Sequence, residues 1–461
     1  MLQEMLLNTP KKMVDIYTNY QKAEQYILDI PKFAGKHTLE DTRKLYDALI
    51  PTEIKSKIIH VAGTNGKGSV CTYMRAMLEA AGFTVGVFTS PHLVTMRERI
   101  CIGTGMISEE DFVNAYEKVK CTVAEMQKQM EHSVETGRDS HESDAPQTNI
   151  HPSFFEYIFL MAMVYFAEKA PDYIILETGL GGRLDATNMI PQKELAVITR
   201  IGIDHTEYLG NTLEEIAGEK AGIMKPETPV VYWETTESVN AVFVGRARKL
   251  QTEAHPVSKA DYTFLNFHHK SIDFSYRSIY YGNIRLCLST IAQYQMENAS
   301  LALRGLEVLL GKEQLTPQVM QTGLLNAFWA GRMEEIAPDI YVDGAHNGDG
   351  IRAFLETVAG DGATEDRHLL FGVVQDKDFE FMIEEIVASK LFASISVVRL
   401  KSARAADMEK LQASFTHNGQ KIACFDAVKE AFETLCAKKQ DKERLYIAGS
   451  LYLVGEIKEL V

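Results

Sequence analysis

The stretch I-I-H-V-A-G-T-N-G-K-G-S, residues 58–69, decides the fold of this chain. Ile58 to Ala62 form a short apolar run that predicts a buried strand, and residues 70–81 repeat apolar side chains at helical spacing. The loop Gly63–Ser69 joins the two, and Gly82 stands where a helix C-terminal cap is expected. Strand, glycine loop and helix in direct succession predict a βα unit with its loop at the edge of a sheet.

The loop Gly63–Ser69 has the composition of a phosphate-binding site. Glycines let successive backbone N–H groups converge on a phosphate, the helix N-terminus adds partial positive charge, and Lys67 adds a full one. The pattern departs from G-x-x-x-x-G-K-[ST], because Val61 replaces the first glycine and Gly68 follows the lysine, so that Ser69 comes one position late. The alternative is an ordinary glycine-rich turn with a solvated lysine.

Strand-like runs alternate with helix-period runs along most of the chain, which indicates βα units and a mostly parallel, buried sheet. The first series comprises Ile58–Ala62, Val85–Thr89, Tyr173–Glu177, Leu195–Arg200 and Val230–Trp233, and the second begins near Ile340 and continues with Leu369–Val374, Ile395–Leu400, Ile422–Phe425 and Leu445–Ala448. We expect an α/β fold, with a P-loop-type, mostly parallel sheet domain flanked by helices (residues 1–329) and a smaller C-terminal Rossmann-like α/β domain (residues 330–461). The active site would then lie between the two domains.

Size and composition agree with a folded protein of two or three domains. The chain has 461 residues, of which 46% are hydrophobic and 24% charged. A formal net charge of −15 argues against a broad nucleic-acid or anionic-membrane surface, since both require clustered Lys and Arg. We therefore expect neither nucleic acid nor membrane as a partner.

The sequence indicates a reducing compartment. Six cysteines are scattered without a C-x-x-C pair. No apolar segment typical of a secretory signal follows Met1, and the most apolar run, residues 157–167, is far shorter than the ~20 residues of a membrane span. That run predicts a buried core helix in a cytoplasmic protein.

One segment, about residues 123–151, is polar, acidic and poor in apolar side chains, and we interpret it as an exposed or disordered insertion. Its histidines, His132, His141 and His151, are spaced too irregularly to indicate a metal site.

An ordered set of further motifs carries a resemblance to a known family. The segments are T-S-P-H-L at Thr89–Leu93, L-E-T-G-L-G-G-R-L-D-A-T-N at Leu176–Asn188, D-H at Asp204–His205, E-K-A-G-I at Glu219–Ile223, G-R-M at Gly331–Met333, D-G-A-H-N at Asp343–Asn347 and G-S-L-Y at Gly449–Tyr452. Together with the loop they resemble the folylpolyglutamate synthase and dihydrofolate synthase family of the Mur ligase superfamily.

The resemblance implies an ATP- and Mg²⁺-dependent amide ligase that adds L-glutamate to a folate through an acyl phosphate. Dihydropteroate is a second acceptor that the motifs leave open. The ligands would be small molecules only, and we expect a monomer.

The family's site residues carry over to matching positions of this chain. The ATP-binding set is Gly63, Thr64, Asn65, Gly66, Lys67, Gly68, Ser69, Asn298 (adenine), Arg332 (phosphate) and Asp343 (ribose). The catalytic set is Lys67, Lys220 and His346, the folate-binding set is Phe33 and Asp185, and the glutamate-binding set is Arg404 and Asp378. In S-A-R, residues 402–404, Ala403 stands where the family has proline, so the segment around Arg404 departs from the family pattern.

By resemblance, Ser90, Glu177 and His205 hold Mg²⁺. Each falls at or after the end of a predicted parallel strand, where open α/β sheets place their ligands. Glu177 is the strongest of the three, since a carboxylate ending a buried strand is costly without a partner. Ser90 has the alternative of a turn hydroxyl before a proline. For His205 the alternative is an ordinary buried histidine, because magnesium prefers oxygen ligands. Manganese could substitute for magnesium at this site.

Lys220 follows His205 at the spacing at which the family often carries a carbamylated lysine. Carbamylation would turn a cation into an anion able to face a second Mg²⁺, and a monovalent cation such as K⁺ could accompany it. The alternative is an unmodified helix lysine.

Two other functions compete with folate ligation. A peptidoglycan Mur ligase would share the loop and core but needs an additional N-terminal UDP-sugar domain, for which the helical residues before Gly63 leave little room. A nucleotide-dependent switch would bind ATP without a second catalytic domain or an amino-acid site. Product formation distinguishes the switch from either ligase.

Overall fold

The structure is a computed structural model that describes residues 11–31, 38–135, 151–268, 270–363 and 365–461, without the side chains of residues 11–14 and 133–135. It contains two α/β units built on separate large sheets, with a small antiparallel sheet between them in the sequence. Within the described ranges, no helix combines the length and apolar character needed to cross a membrane.

The first large sheet is mostly parallel, as predicted. Its strands are β1 (Lys57–Ala62), β2 (Val85–Phe88), β3 (Ile100–Ile102), β4 (Gly105–Met106), β5 (Tyr173–Glu177), β6 (Leu195–Ile198), β7 (Val230–Trp233) and β8 (Ala254–Val257). Their order is β4-β3-β2-β5-β1-β6-β7-β8, and only β3 and β4 run antiparallel to their neighbours. Strands β2, β5, β1 and β6 are therefore adjacent, and their carboxyl ends meet at one edge.

Helices cover this sheet, and the small sheet follows it in sequence. The helices are α1 (Lys11–Asp29), α2 (Leu39–Leu49), α3 (Lys67–Ala80), α4 (Glu109–Glu135), α5 (Phe154–Lys169), α6 (Thr206–Leu209), α7 (Leu213–Ala221), α8 (Glu237–Leu250), α9 (Gln295–Gln314) and α10 (Pro317–Asn326). The three antiparallel strands are β9 (Tyr262–His268), β10 (Ser271–Ser278) and β11 (Gly282–Leu288).

Helix α3 is buried because other helices cover it. Its apolar face, including Met74 and Met77, shares one core with Leu303 of α9 and Met320 of α10. Gly323 of α10 permits close contact between α10 and α3, since a Cβ at this position would lie 2.4 Å from Met77 Cγ of α3. The N-terminus of α3 is thus held rigidly at the sheet edge.

The expected core helix is α5, which is buried on all sides and packs against α1, α2 and α4. The polar segment differs from the expectation at its start, because α4 continues to Glu135. Its remainder, residues 136–150 with His141, lies outside the described residues.

The second unit has its own sheet and core. Its strands are β12 (Glu334–Ala337), β13 (Ile340–Val342), β14 (Arg367–Phe371), β15 (Ser394–Val398), β16 (Ile422–Phe425) and β17 (Arg444–Ala448), in the order β12-β13-β17-β14-β15-β16. Its helices are α11 (Gly348–Ala359), α12 (Phe379–Ser389), α13 (Met408–His417), α14 (Val428–Lys438) and α15 (Leu451–Lys458). All neighbouring strands are parallel except β12 and β13.

Candidate active site

The phosphate loop connects β1 to α3 at the edge of the first sheet. Gly66 is the residue before the helix and has a φ of 89°, a left-handed conformation that favours glycine. Lys67 opens the helix, and its Nζ donates to the carbonyl oxygens of Gly63 at 3.2 Å and Thr64 at 3.3 Å. The ammonium group therefore lies over the loop, where a phosphate would meet it.

Thr199 and Arg200, which follow the neighbouring strand β6, fix the loop from one side. The carbonyl oxygen of Arg200 accepts the N–H groups of Thr64 at 3.0 Å and Asn65 at 3.4 Å. The hydroxyl of Thr199 donates to the Asn65 carbonyl at 2.7 Å. These bonds hold the loop open before any ligand is bound.

Two glycines of the loop let side chains approach from the other side. A Cβ at Gly66 would lie 2.2 Å from Asn298 Oδ1, and one at Gly68 would lie 2.4 Å from Trp329 Cζ2. Asn298 is therefore beside the phosphate loop, with its Nδ2 donating to Gln295 Oε1 at 3.0 Å.

A cavity of about 190 Å³ begins at the N-terminal turns of α3 and extends between the two units. Its walls include Ser69, Tyr73, Gln295, Trp329 and Arg332. The cavity is thus continuous with the phosphate loop at Ser69.

Glu177 and Ser90 come together as predicted from the adjacent strands β5 and β2. The Ser90 N–H donates to Glu177 Oε2 at 3.2 Å, and Glu177 is 3% exposed. Burial raises the pKa of this carboxyl to about 7, although Lys67 and Arg332 act in the opposite direction. A buried acid without an ion-pair partner within 4 Å among the described residues is suited to a cation.

His205 lies beyond β6, next to Asp204, and its ring is 44% exposed. Burial of part of the ring lowers the pKa of His205 below the ordinary value against the opposing effect of Asp204, and Lys377, Lys67 and Lys220 contribute to the lowering. Across the described part of the chain, no three His, Cys, Asp or Glu side chains form a group that could hold a metal. The set of Ser90, Glu177 and His205 contains a serine, and it remains a prediction.

Lys220 is in the last turn of α7 and contacts the phosphate loop directly. Its Nζ donates to the Gly63 carbonyl at 2.8 Å, and the residue is 3% exposed. Burial, with Lys67 nearby, lowers the pKa of this amine to about 7. A substantial fraction of the amine is therefore neutral near neutral pH.

Asp185 holds the loop 178–189 together. Its Oδ2 accepts the N–H groups of Gly179 at 2.8 Å and Leu180 at 2.9 Å, and its Oδ1 accepts that of Thr187 at 3.0 Å. Phe33, the other predicted folate contact, lies outside the described residues.

Asp343 follows β13 and joins the second unit to the first. Its Oδ2 accepts from Tyr294 Oη at 2.7 Å and from the Met333 N–H at 2.9 Å. Burial raises the pKa of Asp343, and Arg332 opposes the rise. Arg332, next to Met333, is therefore close to both Asp343 and the cavity.

His346 is half-buried in the loop after β13. Its Nδ1 lies 2.7 Å from the Gly344 carbonyl, which assigns the proton to Nδ1. Burial, with Lys377 and Arg332 nearby, lowers the pKa of His346 to about 4, so that the ring is neutral. The Nε2 lone pair is then available as an acceptor.

Direct bonds connect the two units across the site. Lys377 Nζ lies 2.6 Å from Asp204 Oδ1, with both side chains largely buried. Asn347 Nδ2 donates to Asn65 Oδ1 at 3.1 Å and to Asp204 Oδ2 at 3.2 Å. Burial raises the pKa of Asp204, but the neighbouring cations, Lys377 first, outweigh it and hold this pKa low.

The predicted glutamate contacts have structural partners of their own. Asp378 caps α12 by accepting the Phe381 N–H at 3.2 Å. Arg404 pairs with Asp376 and donates to Tyr452 Oη at 3.4 Å. Both residues lie in the loops after β14 and β15, beside Lys377.

Sequence reasoning missed several residues of this site. Asn347 lies within D-G-A-H-N, and its amide could have been marked as a candidate contact. Gln295 and Tyr294 belong to no motif, although Gln295 Nε2 donates to Ser69 Oγ at 3.1 Å and Tyr294 Oη donates to Asp343.

Comparison with known proteins agrees with the geometry. Residues 118–304 match the Mur ligase middle domain, and residues 331–451 match the Mur ligase, glutamate ligase domain. A dihydrofolate synthase/folylpolyglutamate synthase of Bacillus subtilis is 34% identical over 96% of this chain and 99% of its own length.

Solved structures show the same architecture over nearly the whole chain. The Mycobacterium tuberculosis folylpolyglutamate synthase complexed with ADP superposes with a TM-score of 0.85 at 27% identity, covering 96% of this chain and 98% of that one. Escherichia coli FolC in complex with DHPP and ADP superposes with a TM-score of 0.79 at 25% identity, covering 96% of this chain and 97% of that one. These relatives confirm the folate-ligase interpretation over the peptidoglycan ligase and the switch. The chain belongs to the dihydrofolate synthase/folylpolyglutamate synthase family of the Mur ligases, and it is an amide-forming ligase.

Proposed function

We propose that this ligase uses ATP to join the amino group of L-glutamate to a carboxylate of a folate. The observation that carries the proposal is the convergence at one cleft of the phosphate loop, the buried Glu177 and the second-unit residues Arg332, Asp343 and His346. Relatives named for folate ligation and solved with ADP support it. Dihydropteroate is proposed as a second acceptor.

The reaction needs an activated acid, because a carboxylate repels nucleophiles and has no good leaving group. An acceptor carboxylate oxygen attacks the γ-phosphorus of ATP, forming an acyl phosphate and releasing ADP. The neutral amino group of glutamate then attacks the carbonyl carbon, phosphate leaves with the C–O bond electrons, and the nitrogen loses a proton. The products are the amide, ADP and phosphate.

Residues of the cleft stabilise the charge that moves in this reaction. Lys67 and the backbone N–H groups of the loop contact the phosphates, and Arg332 approaches them from the second unit. A magnesium ion held by Ser90, Glu177 and His205 would neutralise phosphate charge when bound. The buried, unpaired carboxylate of Glu177 fits that role.

The second unit provides for the incoming amino acid. The neutral His346 ring presents Nε2 as an acceptor for an N–H of the glutamate amino group. Arg404 and Asp378 are proposed to contact the ends of the glutamate, with exchange of their present partners. Closure of the units would exclude water from the acyl phosphate.

The nucleotide base is proposed to enter the cavity beside Ser69. The cavity is continuous with the phosphate loop and lined by Tyr73 and Trp329, whose rings offer apolar surface to a purine. Asp343 is proposed to contact the ribose, whereas Asn298, predicted as an adenine contact, lies beside Gly66 of the phosphate loop.

Lys220 is proposed to be carbamylated. Its neutral amine nitrogen would attack CO₂ and lose a proton, giving an N–COO⁻ group beside Gly63 that could face a second cation, including K⁺. Incubation with ¹³C-bicarbonate should give a carbamate carbon resonance that Lys220→Arg lacks. The half-buried Lys225, tested as Lys225→Met, serves as the matched control that retains the resonance.

The cytoplasm is the proposed compartment, and a monomer the proposed working unit. All six cysteines are unpaired in the described residues, which supports a reducing compartment.

The experiment that tests the function is glutamate-dependent ADP release. Tetrahydrofolate, dihydropteroate and a UDP-muropeptide should be compared as acceptors, and only the pteroate compounds should support turnover. Lys67→Ala should lower kcat by about 100-fold or more, since it removes the charge on the phosphates. Lys225→Met should retain activity. Vigorous ADP release without glutamate, or turnover with the muropeptide alone, would contradict the proposal.

A further inference from the structure

A buried row of polar side chains runs from β1 to Asp185. Lys193 and His60 are 7% and 0% exposed, and Lys193 Nζ lies 2.6 Å from His60 Nδ1. On the far side of the ring, His60 Nε2 lies 2.7 Å from Thr187 Oγ1. The Thr187 hydroxyl donates to Asp185 Oδ1 at 2.5 Å.

The end of the row determines the direction of every hydrogen bond in it. Both oxygens of Asp185 already accept backbone N–H groups, so the Thr187 hydroxyl donates its proton to Asp185. Thr187 Oγ1 then accepts from His60 Nε2–H, and His60 Nδ1 accepts from Lys193. The arrangement requires a neutral histidine, and burial, with Lys193 and Lys225 nearby, lowers the pKa of His60 well below its ordinary value.

Lys193 also connects this row to the helix that carries Lys220. Its Nζ donates to Asn188 Oδ1 at 2.7 Å and to the Ile223 carbonyl at 3.3 Å. Asn188 Nδ2 in turn donates to the Gly222 carbonyl at 3.1 Å. The loop 178–189 is thereby tied to β1, just before the phosphate loop, and to the end of α7.

The burial of Lys193 is unfavourable for the stability of the fold. Among the described residues, no carboxylate lies within ion-pair distance of Lys193, although the residue is almost fully buried. A buried amine without a counter-ion is less favourable than an apolar side chain of the same shape. Residues that lower the stability of the fold are typical of functional sites.

We propose that Lys193 and His60 are positioning residues for the acceptor substrate. Acting through Thr187, they hold Asp185 and the loop 178–189 in the conformation that receives the pteroate part of the acceptor. This inference rests on the proposed function, in which Asp185 borders the acceptor, and it adds two residues that no sequence motif indicated.

Thr187→Val interrupts the row with little change in shape. It removes the hydroxyl between His60 and Asp185, and we expect the acceptor KM to rise about tenfold while the ATP KM changes less than about twofold. Thr228→Val is the matched control. Thr228 is also buried and donates to the Lys193 carbonyl at 3.0 Å, but it does not contact the row's side chains, so the acceptor KM of Thr228→Val should be unchanged.

A pair of variants at His60 separates hydrogen bonding from packing. His60→Gln supplies an amide N–H in place of Nε2–H and should retain most of the acceptor affinity, whereas His60→Leu should lose it. Hydrogen exchange of the amides of Gly179, Leu180 and Thr187 provides a readout that needs no substrate. Exchange at these amides should be faster in Thr187→Val and His60→Leu than in the wild type.

The outcomes distinguish this inference from the proposed function. Wild-type protein without glutamate-dependent ADP release would overturn the proposed function, and the positioning role with it. An active wild type whose acceptor KM and amide exchange are the same in Thr187→Val would overturn the positioning role alone. Equal increases in acceptor and ATP KM would also overturn it, because they indicate general damage to the fold.

Discussion

At the scale of single residues, the site holds charged groups in surroundings that disfavour charge. Glu177 is the clearest case, because burial raises its pKa to about 7 while Lys67, Arg332, Arg99 and the Ser90 N–H compensate only in part. A group that costs stability in the ligand-free protein and suits a cation is consistent with a trade of stability for function.

Glu177→Gln should therefore stabilise the metal-free protein at alkaline pH. The pKa of Glu177 is about 7 in the folded protein, against an ordinary value of 4.5 for an unfolded chain, so its favourable contribution is complete below pH 4.5 and is lost as the pH rises through 7. Urea unfolding in EDTA at pH 8 should show a gain of about 3 kcal/mol, falling to under about 1 kcal/mol at pH 5.

The control for this prediction is Glu253→Gln, whose side chain is 81% exposed and whose replacement should change the unfolding free energy little at either pH. A Glu177→Gln protein that is less stable than the wild type at pH 8 would contradict the argument. Activity should fall in the same variant, because the proposed cation ligand is removed.

At the scale of secondary-structure elements, the turn from β1 into α3 determines how the phosphates would be held. Gly66 is required there for two independent reasons, its left-handed φ of 89° and the separation of only 2.2 Å that a Cβ at this position would have from Asn298 Oδ1. Either reason alone would disfavour a side chain.

Gly66→Ala should weaken ADP binding by about tenfold or more, since backbone strain of about 1–3 kcal/mol would displace the loop N–H groups. Calorimetric titration of ADP measures the effect. Gly245→Ala in α8 is the control, because nothing lies within 4 Å of its Cβ position and its φ is not in the left-handed region. Unchanged ADP affinity in Gly66→Ala would show that the loop adapts.

Most of the strands that sequence patterns predicted are buried on both faces. Strands β1, β5 and β7 are continuous apolar runs and were located from the sequence to within a residue. The antiparallel strands β9, β10 and β11 were missed, because polar residues interrupt their apolar runs, as Asp273, Ser275 and Arg277 do in β10. Propensity alone does not reveal such strands when pairing stabilises them.

The candidate site could be predicted only in part, because local sequence patterns do not indicate contacts between residues that are distant in the sequence. Glu177 ends β5 and Ser90 follows β2, both recognisable in the sequence, so their proximity follows from parallel topology. The contact between Lys193 and His60 joins positions 133 residues apart, and no local pattern predicts it.

At the scale of the whole molecule, the two units meet through apolar packing, with Ile291 and Ala292 in the core of the second unit, and through polar bonds. Lys377–Asp204 and Asn347–Asn65 connect the second unit to the loops that carry the phosphate site. The relative position of the units should therefore depend on these bonds.

Lys377→Met should open the cleft, because it leaves Asp204 without its ion-pair partner. Small-angle X-ray scattering should show a larger radius of gyration, and the ratio of ADP release without glutamate to that with glutamate should rise, as water reaches the acyl phosphate. Lys458→Met is the matched control, since its partner Glu334 lies in the same unit, at 2.5 Å. Unchanged scattering and an unchanged ratio in Lys377→Met would show that other contacts hold the units together.

The contact of Trp329 with Gly68 has an optical consequence. The chain has two tryptophans, and the other, Trp233, is buried within β7, two strands away from β1 in the sheet. The indole of Trp329 lines the cavity at the start of α3, so an entering purine would alter its emission, while Trp233 would give a constant background. We therefore expect the intrinsic fluorescence to report nucleotide occupancy, and Trp329→Phe should remove this response.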